Sequence, residues 1–142
     1  MGVRQAPAVT TSTEHNKAVV RRHWEEAYNQ RRPELWDELM EEAFVIHPAF
    51  GEPGRDGYRA GCATWWAAVP DTKIEILDLI AEHDRVAARW VERGTHTGEY
   101  SGMAPTGHAI QLEGMSLFRL RDQRLAEVWV QYDALALQKL LG

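Results

Sequence analysis

An aspartate at the end of an apolar stretch is the first residue in this chain that could do chemistry. Asp133 comes four residues after Trp129 and follows Val128, Val130 and Tyr132. Such neighbours desolvate a carboxylate and raise its pKa, which suits general acid/base catalysis near neutral pH. Asp133 also precedes a Leu-rich end, and aspartate is a good N-cap residue for a helix. The sequence therefore leaves both roles open for Asp133.

Arginine and histidine supply the other polar candidates. Arg119 precedes Asp133 by fourteen residues across a predicted hairpin. A bulge in that hairpin would put both on one sheet face, where the guanidinium could hold an enolate or carboxylate oxygen; the alternative is a surface pair with Glu127 across the strands. His47 and His96 lie beside loops at strand ends, where sites are often built. For His96 a structural role, with its ring nitrogens holding the loop, is the alternative.

Aromatic residues are the candidates for binding a ligand. Six tryptophans are many for 142 residues, and some must serve the core. Trp65 and Trp66 are adjacent, so on a helix they point about 100° apart and cannot fill the same gap. One of them is expected to face a pocket, where an aromatic wall suits a flat hydrophobic ligand. We also expect Tyr28 and Trp129 to contact the ligand.

Composition and missing motifs exclude several classes of function. The net charge of −5 gives no electrostatic reason to bind nucleic acid. No apolar run reaches the ~20 residues of a membrane helix, and there is no signal-peptide core. The single cysteine, Cys62, fits a reducing compartment. A cytoplasmic protein is therefore predicted. No metal-ligand spacing and no nucleotide-binding loop is present, so neither a metal nor a cofactor is expected.

The elements that position these residues change from helices to strands along the chain. Helical spacing of apolar residues covers about 14–30, 33–42 and 58–69, with a short strand at 44–47. Alternation then predicts two hairpins, over 74–90 and 109–132, followed by a short apolar helix or turn. This order indicates an α+β fold, a curved antiparallel sheet wrapped around N-terminal helices to form a cone with an interior pocket. We expect one domain over residues 13–142 after a disordered leader over residues 1–12.

Several short motifs occur in an order that resembles a known family. Gly-Thr-His-Thr-Gly-Glu at 94–99 is followed by Pro-Thr-Gly at 105–107 and by Trp129 with Asp133. Upstream lie Phe-Val-Ile-His-Pro at 44–48 and His-Asp-Arg-Val-Ala at 83–87. In this order, over about residues 15 to 142, the chain resembles the SnoaL-like polyketide cyclases of the nuclear transport factor two-like superfamily.

The resemblance implies an enzyme of secondary metabolism that works without a cofactor. It would close a ring in a polyketide-like substrate by intramolecular aldol chemistry, with Asp133 as the general acid/base and His47 in the pocket. The family leads us to expect a histidine near Arg119, and an arginine stays protonated and cannot shuttle protons. Arg119 and His47 would then stabilise oxyanion charge.

Other functions remain open on the same scaffold. One is a ketosteroid-isomerase-like or epoxide-opening enzyme acting on another small hydrophobic molecule. A second is a non-catalytic pocket protein. For each of these functions we expect a homodimer or larger homo-oligomer. Val, Ile and Leu occur at odd and at even positions of the strands, so the outer face of the sheet is also apolar and would be buried against another subunit.

Overall fold

Most of the helices lie in the first half of the described residues, and one lies at their end. The computed structural model describes residues 12–142. In chain order the helical elements are α1 (Ser12–Arg21), which continues as a π-helical segment (Arg22–Tyr28), a 3-10 turn (Pro33–Leu35), α2 (Trp36–Leu39), α3 (Gly54–Ala68) and α4 (Ala134–Leu140).

Five strands form one sheet in the order β1-β5-β4-β3-β2. Alternate residues of a strand face opposite sides, and the even-numbered residues of β3, β4 and β5 face the helices. We call the opposite side the outer face. The strands are β1 (Met40–His47), β2 (Lys73–Glu82), β3 (Arg85–Thr95), β4 (Ala109–Arg121) and β5 (Arg124–Tyr132).

The predicted α+β architecture, a curved sheet around N-terminal helices, is confirmed. The sheet is antiparallel except where β1 runs parallel to β5, because β1 enters from α2 and is not tied to a neighbour by a hairpin turn. The second helix ends at Leu39, since Met40 is already extended and begins β1. The expected leader lies outside the described residues except for Ser12, the first residue of α1.

The core lies between the N-terminal helices and the inner face of the sheet. The helical stripe predicted from Val20, Trp24, Ala27 and Tyr28 is buried there. Trp90 of β3 lies across its register partner Gly114, where an added Cβ would stand 2.3 Å from the indole ring. Glycine at 114 thus lets a large ring lie flat on the sheet, and space remains beside it.

Candidate active site

A cavity of about 190 Å³ lies between the helices and the inner face of the sheet. Its wall is mostly aromatic and aliphatic, so a bound ligand would exchange water for apolar side chains. Its apolar lining includes Trp24, Ile46, Phe50, Trp65, Ile74, Trp90, Leu112, Phe118, Val128, Val130 and Leu137.

Among the described residues that line the cavity, Glu92 supplies the only carboxylate. It is 8% exposed, and one of its oxygens, Oε2, accepts three hydrogen bonds. The donors are the Tyr28 hydroxyl at 2.5 Å, the Thr72 hydroxyl at 2.5 Å and the Trp65 indole N–H at 3.0 Å. Oε1 has no hydrogen-bond partner in the described part of the chain. The three hydrogen bonds thereby hold the buried carboxylate in one orientation and leave Oε1 available to a ligand.

The hydroxyl and thiol groups near Glu92 stay protonated at neutral pH. Burial, followed by the charge of Glu92, raises the pKa of the Tyr28 hydroxyl well above its usual value. Burial also raises the pKa of Tyr58 and of the Cys62 thiol. These groups can donate hydrogen bonds in the cavity, but they are poor proton acceptors and Cys62 is a poor nucleophile.

His23 lines the cavity in a different setting. Only 2% of it is exposed, and the Trp36 indole N–H donates to its Nδ1 at 2.8 Å. Burial lowers the pKa of His23 to about 3. The imidazole is therefore neutral at physiological pH, unlike a surface histidine, which is partly protonated there.

The structure places Asp133 at the N-terminus of α4 and not among the residues lining the cavity. Its exposed carboxylate accepts a hydrogen bond from the Ala136 N–H at 2.9 Å, which is the contact a capping role requires. Asp133 is also distant from Arg119. The register puts Tyr132 opposite Gly114, five residues or about 17 Å along β4 from Arg119.

Three of the predicted site residues meet on the outer face of the sheet. Arg119 donates to Glu127 at 3.1 Å, and His47 Nε2 lies 2.6 Å from the same carboxylate. Hydrogen bonds from His47 and Arg119 lower the pKa of Glu127. The His47 ring stacks on Trp129 with centroids 5.6 Å apart. This cluster contains the surface pair with Glu127 that was the alternative role for Arg119, and none of its members lines the inner cavity.

The predicted ligand-binding residues divide between the cavity and its surroundings. Tyr28 and Trp65 line the cavity. Trp66 lies outside it, half-buried, with its ring stacked on Trp36 at 6.1 Å. His96 is fully buried and accepts a hydrogen bond from the Thr106 N–H at 3.2 Å, so it fastens the loop between β3 and β4.

Sequence reasoning missed two of the polar residues that line the cavity, His23 and Glu92. Neither was among the predicted site residues. His23 lies three residues after Val20 and four before Ala27, which is a position on the buried stripe. Glu92 occupies an even-numbered position of β3, as do the apolar residues Val86, Ala88 and Trp90. In both cases the spacing of the apolar residues predicts a buried position, although the residue itself is polar.

Asp133→Asn tests the capping geometry. Asparagine caps a helix about as well as aspartate, so we expect the variant to match the wild type in melting temperature and in any activity of the cavity. Thermal unfolding and a turnover assay check this. A large loss of activity with unchanged stability would restore Asp133 as the acid/base.

A comparison with protein families identifies the family to which the chain belongs. The family described as "SnoaL-like polyketide cyclase" matches residues 18–141. The chain belongs to this family.

Solved structures agree with this SnoaL-like fold. IdmH from Streptomyces antibioticus, a proposed polyketide cyclase, is 30% identical, with 89% of this chain and 98% of that chain covered and a TM-score of 0.74. AclR from Streptomyces galilaeus, a proposed hydroxylase, is 25% identical, with 92% and 83% covered and a TM-score of 0.79. A proposed SnoaL-like polyketide cyclase from Jannaschia sp. CCS1 shares the fold at 21% identity, with 99% and 97% covered and a TM-score of 0.81.

Three further findings concern this SnoaL-like chain. No protein with a curated function matches its sequence. Within residues 12–142, no three His, Cys, Asp or Glu side chains are grouped so that they could hold a metal ion, and none of the helices in this part is long and apolar enough to cross a membrane.

Proposed function

We propose that the protein binds a small, hydrophobic, polyketide-like substrate in the inner cavity and closes a ring in it by intramolecular aldol addition, without a cofactor. Membership of the SnoaL-like family and the aromatic wall support the substrate class. The observation that carries the proposal is Glu92, a carboxylate oriented by three donors in a mostly apolar cavity.

The chemistry requires one base that later acts as an acid. Glu92 Oε1 takes a proton from a carbon next to a carbonyl group, which leaves an enolate. The enolate carbon attacks a second carbonyl carbon of the same molecule, and one carbon–carbon bond forms. The resulting alkoxide takes the proton back from Glu92, so substrate and product are isomers and no electrons are exchanged. Binding in the cavity keeps the reacting carbons close, which can supply a large part of the rate enhancement.

In this mechanism the general acid/base is Glu92 and not Asp133. A proton acceptor must come within hydrogen-bond reach of the substrate, and Glu92 lines the cavity whereas Asp133 caps α4. A pocket protein without catalysis is the second candidate, favoured by the preponderance of apolar lining.

An aryl 1,5-diketone tests the function, because it can close a six-membered ring by aldol addition. We expect the wild-type protein to speed ring closure above the buffer rate and to give mainly one enantiomer, since the reaction occurs in a chiral cavity. Chiral chromatography measures both. Binding of the diketone without acceleration would support the non-catalytic pocket protein, and a racemic product at the buffer rate would refute the proposal.

We expect a second copy of the chain to cover the outer face of the sheet. The strand register aligns Ile80, Ala87, Leu117, Trp129 and His47 in one row across all five strands. Ile80 is 70% exposed and the neighbouring Met115 is 57% exposed. Charged groups beside the row pair within the chain, as Arg89 does with Asp78 at 2.7 Å, and so leave the apolar row as the surface to be buried.

Leu117→Lys should therefore convert the assembly to monomers, because it would place two like charges at the centre of a symmetric apolar interface. Light scattering at micromolar concentration measures the mass. Leu135→Lys is the matched control, since Leu135 is an exposed leucine on α4 and does not belong to the row on the outer face. A wild type of about 16.2 kDa in solution would contradict the expectation.

A further inference from the structure

His23 lines the cavity and is surrounded by aromatic rings. The four rings nearest to it belong to Trp24, Trp36, Tyr58 and Phe118, with centroids 5.6 to 5.9 Å away. None of them carries a charge, and the pKa of the only titratable one, Tyr58, is raised by burial. The imidazole therefore stands in an apolar surrounding on every side that these rings cover.

The contact with Trp36 fixes which nitrogen of His23 carries the proton. An indole N–H can only donate, and it donates to Nδ1 of His23. In the neutral imidazole the proton must then be on Nε2. No described side chain or backbone group accepts a hydrogen bond from Nε2, while the ring lines the cavity. The protein thus presents a neutral N–H donor to whatever occupies this space.

His23 and Glu92 line the same cavity. A ligand that fills it therefore faces a neutral N–H donor as well as a carboxylate, and a ligand that uses both needs an oxygen acceptor in addition to its acidic carbon.

We propose that the Nε2–H of His23 donates a hydrogen bond to a ketone or enolate oxygen of the bound ligand, so that the cavity selects flat aromatic ketones over hydrocarbons of the same shape. This inference rests on the proposed function for the ligand class, though not on turnover. A neutral donor suits the task because it strengthens its bond as negative charge develops on oxygen, without burying a cation in an apolar pocket.

The experiment uses 1-tetralone, an aromatic ketone, and tetralin, which has the same two rings and lacks the carbonyl group. In the wild type labelled with ¹⁵N-histidine, we expect tetralone to shift the Nε2 resonance of His23, and the carbonyl infrared band of bound ¹³C-tetralone to move to lower frequency. Tetralin should bind without the nitrogen shift. Failure of tetralone to bind, or binding with both signals unchanged, would overturn the inference.

Two variants separate donation from packing. His23→Phe keeps a ring but no donor, so the preference for tetralone over tetralin should fall by about 2–10-fold, the usual worth of one hydrogen bond. Trp36→Phe keeps His23 but removes the N–H that sets its tautomer, so the ¹⁵N spectrum should show both tautomers and the preference should fall in part. An unchanged preference in both variants would refute the role, and if His23→Phe does not fold, the wild-type spectra decide.

The outcomes also distinguish this inference from the proposed function. Nitrogen and carbonyl shifts with tetralone, in a protein that does not close the ring of an aryl 1,5-diketone, would uphold the donor role and refute the cyclase. Stereoselective ring closure with no nitrogen or carbonyl shift would uphold the cyclase and refute the donor role.

Discussion

Glu92→Gln is expected to lower kcat/KM for ring closure by about 10²–10⁴-fold, the usual cost of losing a general acid/base. Glutamine has nearly the same size as glutamate, and its amide oxygen can still accept the hydrogen bonds from Tyr28, Trp65 and Thr72. It cannot take a proton from carbon. The fold and the affinity for tetralone should therefore be retained while turnover is lost.

Steady-state kinetics with the aryl 1,5-diketone measures this effect. Glu113→Gln is the matched control, because Glu113 lies on the neighbouring strand β4 with its side chain exposed. The control should behave as the wild type. An equal loss of kcat/KM in the two variants would mean that removing a negative charge from the sheet is enough to slow the reaction, and that Glu92 is not the general acid/base.

Acid is expected to destabilise the protein chiefly through His23. The folded protein keeps its imidazole neutral down to a pKa of about 3, whereas the unfolded chain takes up that proton near 6.5. Below pH 6.5 the unfolded state therefore binds more protons, so stability is full above this pH and falls down to about pH 3. From pH 7.5 to pH 5 the free energy of unfolding should drop by about 2 kcal/mol.

Urea unfolding at a fixed protein concentration measures this slope. His23→Gln removes the titrating ring, keeps an acceptor for the Trp36 N–H, and should flatten the dependence over this pH range. His83→Asn is the control, since His83 lies in an exposed turn with positive φ that asparagine tolerates. The carboxyl groups whose pKa is lowered, such as Asp37 and Glu127, lose their contribution only at lower pH. Parallel slopes for wild type and His23→Gln would rule out this cause.

Periodicity was sufficient to predict the architecture. The stripe of Val20, Trp24 and Ala27 and the alternation along β3 and β4 each identify a buried face from the chain alone, because burial and backbone geometry impose a fixed repeat. The parallel pairing of β1 with β5 was not predicted. No local pattern specifies a partner that lies some eighty residues away.

The candidate site was predicted only in part. Tyr28 and Trp65 line the cavity, while the motif residues Asp133 and His96 hold α4 and a loop. Short motifs identify a family because they shape its turns and caps as well as its chemistry. Glu92 and His23 were missed because their side chains are polar, although both occupy positions on buried faces.

Exchange of deuterium into ethyl benzoylacetate tests the central claim most directly, because it detects proton removal from carbon without requiring the natural substrate. Wild type, Glu92→Gln and Asp133→Asn would be compared in D₂O by NMR. The wild type and Asp133→Asn should accelerate exchange at the carbon between the two carbonyl groups, and Glu92→Gln should exchange at the buffer rate. Exchange by Glu92→Gln at the wild-type rate, together with its loss in Asp133→Asn, would contradict the assignment of Glu92 as the base.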